Sequence, residues 1–158
     1  MSSASPTRRL LTELKNHTPT PELALQPSPT SLLSWTGLIT GPPSTPFAPF
    51  SYHLSISIPS DYPINPPKIT FLTPVFHPNV DAKTGEICLD LLKDRWTAVL
   101  TLEGCLEAIR RLLGEPGPDS PLNIEAAKLL RCGEIRGYEG VVRAWGRIYA
   151  SSRGGSPQ

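Results

Sequence analysis

The stretch from residue 50 to residue 58 alternates strictly between large apolar and polar side chains. A period of two is typical of a β-strand with one face on a core and the other in water. The pattern therefore predicts an antiparallel sheet with one buried face, which excludes an all-helical fold. The apolar positions are Phe50, Tyr52, Leu54, Ile56 and Ile58, and the polar ones are Ser51, His53, Ser55 and Ser57.

Three further segments have the composition of strands. Residues 23–27 form a short candidate, residues 32–40 form a longer one that stops at Gly41-Pro42-Pro43, and residues 68–72 form the last. Because the connections between neighbouring strands are short, we expect a four-stranded antiparallel meander.

A helix is predicted before the strands. Serine is a favoured N-cap and proline suits the first helical position, so Ser5 and Pro6 mark its start. Pro19 and Pro21 end it. The expected apolar face consists of Leu10, Leu11 and Leu14, whereas Arg8, Arg9, Glu13 and Lys15 are expected to face water.

Helical patterns also dominate after residue 100. An apolar stripe at helical spacing covers residues 102–113, and Asn123 caps a helix to about Arg131, with Gly133 suited to its end. Apolar residues between 141 and 149 mark a last helix that includes Trp145. Strands followed by helices predict an α+β domain.

Length and charge limit the possible functions. A chain of 158 residues suits one domain, here residues 1–150, followed by a short flexible tail at 151–158. A formal net charge of +1 argues against nucleic-acid binding. Three widely spaced cysteines and scattered histidines favour free thiols in a reducing compartment over a disulfide framework or a metal site. No apolar run is long enough to insert into a membrane.

One long segment, residues 73–99, has neither period. Such a stretch inside a compact domain is often functional. It contains Cys88 between Ile87 and Leu89, after a turn signal at Thr84-Gly85. A lone cysteine is more often a small buried hydrophobe, so position alone favours a structural role.

The motifs around Cys88 change that balance. His77-Pro78-Asn79, then Gly85-x-Ile87-Cys88-Leu89-Asp90, then Trp96-Thr97, resemble the active-site signature of ubiquitin-conjugating enzymes. The run from Glu115 to Leu122 has the family's expected composition and place. The resemblance extends from about Pro6 to Ala150 and implies the α+β ubiquitin-conjugating fold.

The resemblance implies a role for each residue of the motif. Cys88 would accept ubiquitin from the activating enzyme as a thioester, since a thiolate is both a good nucleophile and a good leaving group. The amide of Asn79 would order the loop or stabilise the oxyanion, two roles that the residues alone leave open. Asn79 and Cys88 lie one residue further apart than in many relatives, and the loop from Asp81 to Thr84 is expected to absorb the extra residue. His77, Pro78, Leu89, Asp119 and Ser120 would support the site, His77 structurally and not as a base.

The residues from Glu115 to Leu122, which we call the gate segment, depart from the family pattern. Many relatives carry an acidic residue at the position of Ser120, where it helps a lysine acceptor react. Here the carboxylate belongs to Asp119. Either the segment is simply a turn, or lysine is not the only intended acceptor, since a cysteine acceptor has no amine pKa near 10.4 to overcome.

The resemblance also implies partner surfaces. The activating enzyme and a RING ligase would share one end of the fold, where relatives often carry an aromatic residue at Ile64 and a proline at Ala98. These departures suggest a dedicated ligase. The partner-binding candidates are Arg8, Arg9, Ile64, Thr97 and Ala98.

Within the family, the runs 119–122, 130–133 and 138–142 are most like the peroxisomal branch. That branch acts on the cargo-import receptor and is held by a membrane-anchored peroxin, which implies a location on the cytosolic face of the peroxisomal membrane. A general cytoplasmic conjugator is the alternative. The late helices near Tyr138 and Trp145 are the candidate anchor site, with a core role favoured for Trp145. The chain itself would need no cofactor, since the activating enzyme uses the ATP.

Three other interpretations remain open. A non-catalytic variant of the family is disfavoured by the presence of Cys88. A conjugator of another ubiquitin-like modifier would carry the same motifs. A cysteine hydrolase using Cys88 and His77 would need an oxyanion motif before the cysteine, and none is present.

Overall fold

The computed structural model describes residues 5–117 and 120–152. In these residues one helix precedes the four strands of the meander, a long loop region follows, and three helices and a two-residue strand come last. The α+β meander predicted from the sequence is confirmed. The elements are α1 (Pro6–Asn16), β1 (Leu23–Pro27), β2 (Ser34–Thr40), β3 (Phe50–Ser57), β4 (Lys68–Phe71), a 3-10 helix (Asp90–Leu92), α2 (Leu102–Gly114), α3 (Ile124–Arg131), α4 (Ile135–Tyr149) and β5 (Ser151–Ser152).

The sheet is antiparallel in the order β1-β2-β3-β4. Along β3 the side chains alternate as predicted, with Tyr52, Leu54 and Ile56 at 2% exposure or less. The apolar stripe of α2 covers this face, and a β-carbon at Gly37 of β2 would meet the Leu106 side chain at 2.8 Å. The backbone of β2 therefore lies close to the Leu106 side chain of α2 at this point.

The sheet continues past the predicted domain boundary. β5 pairs with the start of β3, Ser151 opposite Ser51 and Ser152 opposite Phe50. The first two residues of the predicted flexible tail thus belong to the sheet, and residues 153–158 lie outside the described part of the chain. Close packing supports this end of α4, since a β-carbon at Gly146 would fall 2.4 Å from the Phe50 ring.

The predicted amphipathic pattern of α1 is wrong in two respects. Leu10 is fully buried, but Leu11 is 52% exposed and Leu14 is also exposed. The Glu13 side chain, expected to face water, is only 8% exposed. Its carboxylate accepts hydrogen bonds from the Tyr62 hydroxyl and from the Leu102 backbone N–H, which opens α2. A partly positive helix N-terminus favours a carboxylate there, and tertiary packing overrides the local pattern.

Candidate active site

A short antiparallel pairing places Asn79 directly opposite Cys88. The Cys88 N–H donates to the Asn79 carbonyl at 2.8 Å, and the Asp81 N–H donates to the Glu86 carbonyl at 2.8 Å. The residue pair between these bonds, Val80 and Ile87, is buried. Directly opposed residues in such a ladder have β-carbons about 5 Å apart and project from the same face. Asn79 and Cys88 therefore share one side of the loop.

The turn that joins the two arms is closed by a side chain. One Asp81 carboxylate oxygen accepts the N–H groups of Lys83 and Thr84, each at 2.8 Å. These bonds, that of Thr84 first, lower the pKa of Asp81. Gly85 follows with φ of +75°, and a β-carbon there would fall 2.0 Å from the Phe71 carbonyl oxygen. The turn at residues 81–85 joins the two arms while the Cys88 N–H stays bonded to the Asn79 carbonyl.

The three cysteines lie in different surroundings. Cys88 is half-buried in the loop. Cys105 is fully buried on α2, where desolvation raises the pKa of its thiol to about 12, so its predicted core role is confirmed. Cys132 is exposed at the C-cap of α3. Of these three cysteines, only Cys88 lies opposite Asn79 in the catalytic loop.

The Asn79 side chain joins the loop to the gate segment. It is 2% exposed, its Oδ1 accepts the Gly117 N–H at 2.8 Å, and its Nδ2 donates to the Gly117 carbonyl at 3.3 Å. This two-way contact spans 38 residues of sequence. In the unloaded protein the Asn79 amide therefore orders the gate segment. Gly117 was not singled out from the sequence, and its place between Pro116 and Pro118 gave only a turn signal.

His77 is structural, as expected. It is fully buried, its Nε2 donates to the Leu112 carbonyl at 2.8 Å, and its Nδ1 accepts the Asn79 backbone N–H at 3.0 Å. These partners require the neutral ring with its proton on Nε2. Desolvation lowers its pKa to about 4. With both nitrogens engaged, His77 cannot take a proton from Cys88, so the Cys88–His77 hydrolase is excluded.

This burial predicts a pH dependence of folding stability. The pKa of His77 is about 4 in the folded protein and about 6.5 in an unfolded chain, so the unfolded state binds more protons between these values. The part of the free energy of unfolding that depends on His77 protonation is therefore fully present above pH 6.5. It falls by about 3 kcal/mol as pH drops to 4. The free energy of unfolding of wild type and His77→Gln can be measured in urea between pH 4 and pH 6.5. Its slope against pH should be steeper in wild type, because only wild type has the titrating His77. Equal slopes for both proteins would contradict the assignment.

Pro78 holds the far side of the gate segment. Its carbonyl accepts the N–H groups of Leu122 at 2.9 Å and Asn123 at 3.1 Å, and the Asn123 side chain caps α3. Ser120 is exposed and has a φ of +39°. Asp119, which was also predicted to support the active site, lies outside the described residues. Thus Asn79 fixes the gate segment at Gly117, and Pro78 fixes it at Leu122.

Leu89 lies at the start of the region after Cys88. It is half-buried, packs against the core and precedes the 3-10 helix Asp90–Leu92. Further on, the Trp96 indole N–H donates to the Pro63 carbonyl at 3.0 Å. The chain after the cysteine is thereby tied to the loop at residues 62–66.

The predicted partner-binding residues meet at one end of the molecule. Arg9 of α1 donates to the carbonyls of Ala98 and Leu100, each at 2.7 Å, and pairs with Glu13 at 3.1 Å. Arg9 therefore holds the 97–100 loop in addition to any partner role. Arg8 remains exposed.

The same end carries exposed apolar side chains. Ile64 is 74% exposed and Val99 is 86% exposed, while Thr97 and Ala98 are exposed beside them. Val99 was not among the partner-binding candidates named from the sequence. Both loops are held by hydrogen bonds from Arg9 and Trp96. Large exposed apolar side chains on loops held in this way are typical of a protein-binding surface.

The site has the components for acyl transfer through sulfur. It combines a half-buried thiol, an amide on the same face of the loop and a gate segment fixed at Gly117 and Leu122. Among residues 5–117 and 120–152, no cluster of three His, Cys, Asp or Glu side chains could hold a metal. No helix in these ranges is long and apolar enough to span a membrane.

A family model for ubiquitin-conjugating enzymes matches residues 9–145. The chain belongs to this family and is therefore a transferase. Its partners are ubiquitin, an activating enzyme and a ligase. The resemblance seen in the sequence is confirmed.

Named relatives extend the comparison to the peroxisomal branch. The chain is 43% identical over 135 residues to Protein PEROXIN-4 of Arabidopsis thaliana, covering 85% of this chain and 86% of that protein. It is 47% identical over 118 residues to ubiquitin-conjugating enzyme E2 pex4 of Dictyostelium discoideum, covering 75% and 79%. Among solved structures, H. polymorpha Pex4p in complex with the soluble domain of Pex22p matches with a TM-score of 0.87 and 35% identity, covering 94% of this chain and all of that one.

Proposed function

We propose that Cys88 accepts ubiquitin as a thioester and passes it to a peroxisomal import receptor with the help of a RING ligase. The Cys88 thiolate attacks the thioester that ubiquitin's C-terminal glycine forms with the activating enzyme. That enzyme's thiolate leaves, and a thioester to Cys88 replaces the first one. An acceptor nucleophile then attacks the same carbonyl, and the Cys88 thiolate leaves. The observation that carries this proposal is the Asn79–Cys88 pairing.

Each attack creates an oxyanion next to Cys88. The Asn79 side chain lies on the same face of the loop, and an amide N–H can stabilise such a charge by about 3 kcal/mol. Asn79 is already fixed by Gly117, so little reorganisation is needed. We therefore assign both roles to Asn79, ordering of the gate segment before the reaction and oxyanion contact during it.

The gate segment favours an acceptor that needs little help with deprotonation. Ser120 offers a hydroxyl where many relatives have a carboxylate, and its side chain is exposed. A cysteine thiol has a pKa of about 8.5, whereas that of a lysine amine is about 10.4. A cysteine of the import receptor is the acceptor that this site suits best, and ubiquitin on that cysteine would mark the receptor for recycling.

The end of the fold with Ile64 and Val99 is the proposed surface for the activating enzyme and the ligase. The Arg9 contacts to Ala98 and Leu100 fix the 97–100 loop, and the buried Glu13 fixes α1 against α2. A preformed surface loses little entropy when a partner binds. The exposed charge of Arg8 would lie at its rim.

A groove between α3 and α4 is the proposed site of a membrane-anchored peroxin. It has a volume of about 620 Å³, and Phe76, Leu129, Val141 and Trp145 form its apolar wall. The predicted core role for Trp145 is only partly right, since the ring packs on Phe76 at 5.5 Å but remains half-buried in the groove. Tyr138 is instead the core residue, at 5% exposure. In this arrangement the enzyme works on the cytosolic face of the peroxisomal membrane.

Binding to a Pex22-type anchor tests this assignment. Leu129→Arg should weaken binding of the anchor's soluble domain by about 100-fold, because a charge would be buried in an apolar groove. Ile148→Arg, on an exposed part of α4, is the matched control and should bind normally. Calorimetry measures the affinity, and ubiquitin loading by activating enzyme and ATP should be normal in all three proteins with and without the anchor.

Two results would count against the proposal. If anchor binding blocked loading, the anchor would occupy the activating-enzyme surface and not the groove. If the enzyme were spread evenly through the cytoplasm of cells that contain the anchor, the peroxisomal assignment would fail and general ubiquitin conjugation would remain.

A further inference from the structure

A second cleft opens beside the catalytic loop, between α3 and the described parts of the gate segment. Its volume is about 330 Å³. Among the described residues it shares no lining residue with the α3–α4 groove. Its walls include Pro78, Gly117, Pro121, Ala127, Leu130 and Arg131.

Two of these residues connect the cleft to the active site. Pro78 precedes Asn79, which lies opposite Cys88, and Gly117 is the residue held by the Asn79 amide. Consecutive Cα atoms are about 3.8 Å apart and opposed strand residues about 5 Å apart, so Pro78 lies within about 9 Å of Cys88 between Cα atoms. An extended peptide rises about 3.3 Å per residue. Two or three residues of an acceptor chain would therefore reach from Cys88 to the cleft.

The cleft has an apolar wall with one cation at its edge. Ala127, Leu130 and Arg131 are three and four residues apart on α3 and so share one face of the helix. Ala127 and Leu130 are half-buried, and Arg131 is exposed. Within residues 5–117 and 120–152, Arg131 makes no salt bridge or side-chain hydrogen bond, whereas Arg9, Arg95 and Arg143 each pair with a carboxylate.

We infer that this cleft binds a glutamate that lies two or three residues from the acceptor in the substrate chain. The aliphatic stem of the glutamate would lie on Pro121 and Leu130, and its carboxylate would accept hydrogen bonds from the Arg131 guanidinium. An arginine fork matches a carboxylate in shape as well as charge. The inference rests on the proposed transfer from Cys88 and adds a sequence preference to it.

Acceptor peptides test the preference directly. Three peptides would carry the same acceptor, with Glu, Gln or Arg three residues away, and would discharge the loaded enzyme without a ligase. In wild type the Glu peptide should react about fivefold faster than the Gln peptide, the size expected of one exposed ion pair. Arg131→Ala should remove the difference, and Arg131→Glu should make the Arg peptide the fastest. Lys128→Ala, an exposed cation on α3 outside this cleft, should keep the wild-type order.

A second measurement does not depend on loading. When the Glu peptide is titrated into unloaded protein, backbone amide signals of Gly117, Ala127 and Leu130 should shift more than with the Gln peptide. In Arg131→Ala the two peptides should give equal shifts. Normal loading with no Glu preference in either measurement would overturn this inference alone. Failed loading with a clear Glu preference in the amide shifts would support the cleft and overturn the proposed function.

Discussion

Replacing Cys88 with alanine should abolish the ubiquitin adduct, and replacing it with serine should convert a reductant-sensitive thioester into a stable oxyester. Alanine has no nucleophile, and the loss on loading should be complete. Serine still attacks the activated carbonyl, but an alkoxide is a much poorer leaving group than a thiolate, so the adduct persists. Gel analysis with and without reductant after incubation with activating enzyme, ATP and ubiquitin distinguishes the two products.

The other cysteines supply matched controls. Cys132→Ser changes an exposed residue at the end of α3 and should load like wild type. Cys105→Ser puts a hydroxyl into the core at a fully buried position, so it should lower stability by about 1 kcal/mol and still load. A reductant-sensitive adduct on Cys88→Ala would contradict the assignment of Cys88.

Asn79→Ala should load nearly normally and discharge about 100-fold more slowly, the usual effect of removing one oxyanion donor. Loading starts from a thioester that the activating enzyme's own site already positions, whereas discharge depends on the Cys88 loop and the gate segment of this chain. Single-turnover discharge to a free amino acid, measured after the activating enzyme is quenched, isolates the second step. Loading that failed as badly as discharge would instead show that Asn79 maintains the fold of the loop.

Asn79→Asp separates the two roles of the amide. Its carboxylate can still accept the Gly117 N–H, a contact of 2.8 Å in the structure, but it has no N–H to offer an oxyanion. The proposal predicts discharge at least as slow as in Asn79→Ala. If Asn79→Asp discharged like wild type, ordering of Gly117 would account for the residue and the oxyanion contact would be lost.

Most of the helices and strands could be predicted from local sequence patterns. The alternation in β3 and the Ser5 cap of α1 were predicted because their determinants lie within a few residues of each other. Glu13 was misplaced because its partner, the Leu102 N–H, lies 89 residues away. A charged residue in an amphipathic helix gives no local sign that it will cap another helix.

The active site also contains residues that local sequence predicts and contacts that it does not. Cys88 and Asn79 belong to one continuous motif, and a resemblance to a known family could assign them. The contact of Asn79 with Gly117 and that of Pro78 with the start of α3 join segments that the sequence leaves unrelated. Trp145 was harder still, because an apolar residue on the inner face of a helix can be core or groove, depending on how closely α3 packs on α4.

Mapping the adduct on the wild-type protein tests directly whether Cys88 carries ubiquitin. Enzyme loaded with ubiquitin in the absence of reductant is digested and analysed by mass spectrometry for peptides joined to ubiquitin's C-terminal glycine. We expect one modified peptide, which contains Cys88, and loss of its added mass on treatment with a thiol. Attachment at Cys105, Cys132 or a lysine in place of Cys88 would contradict it.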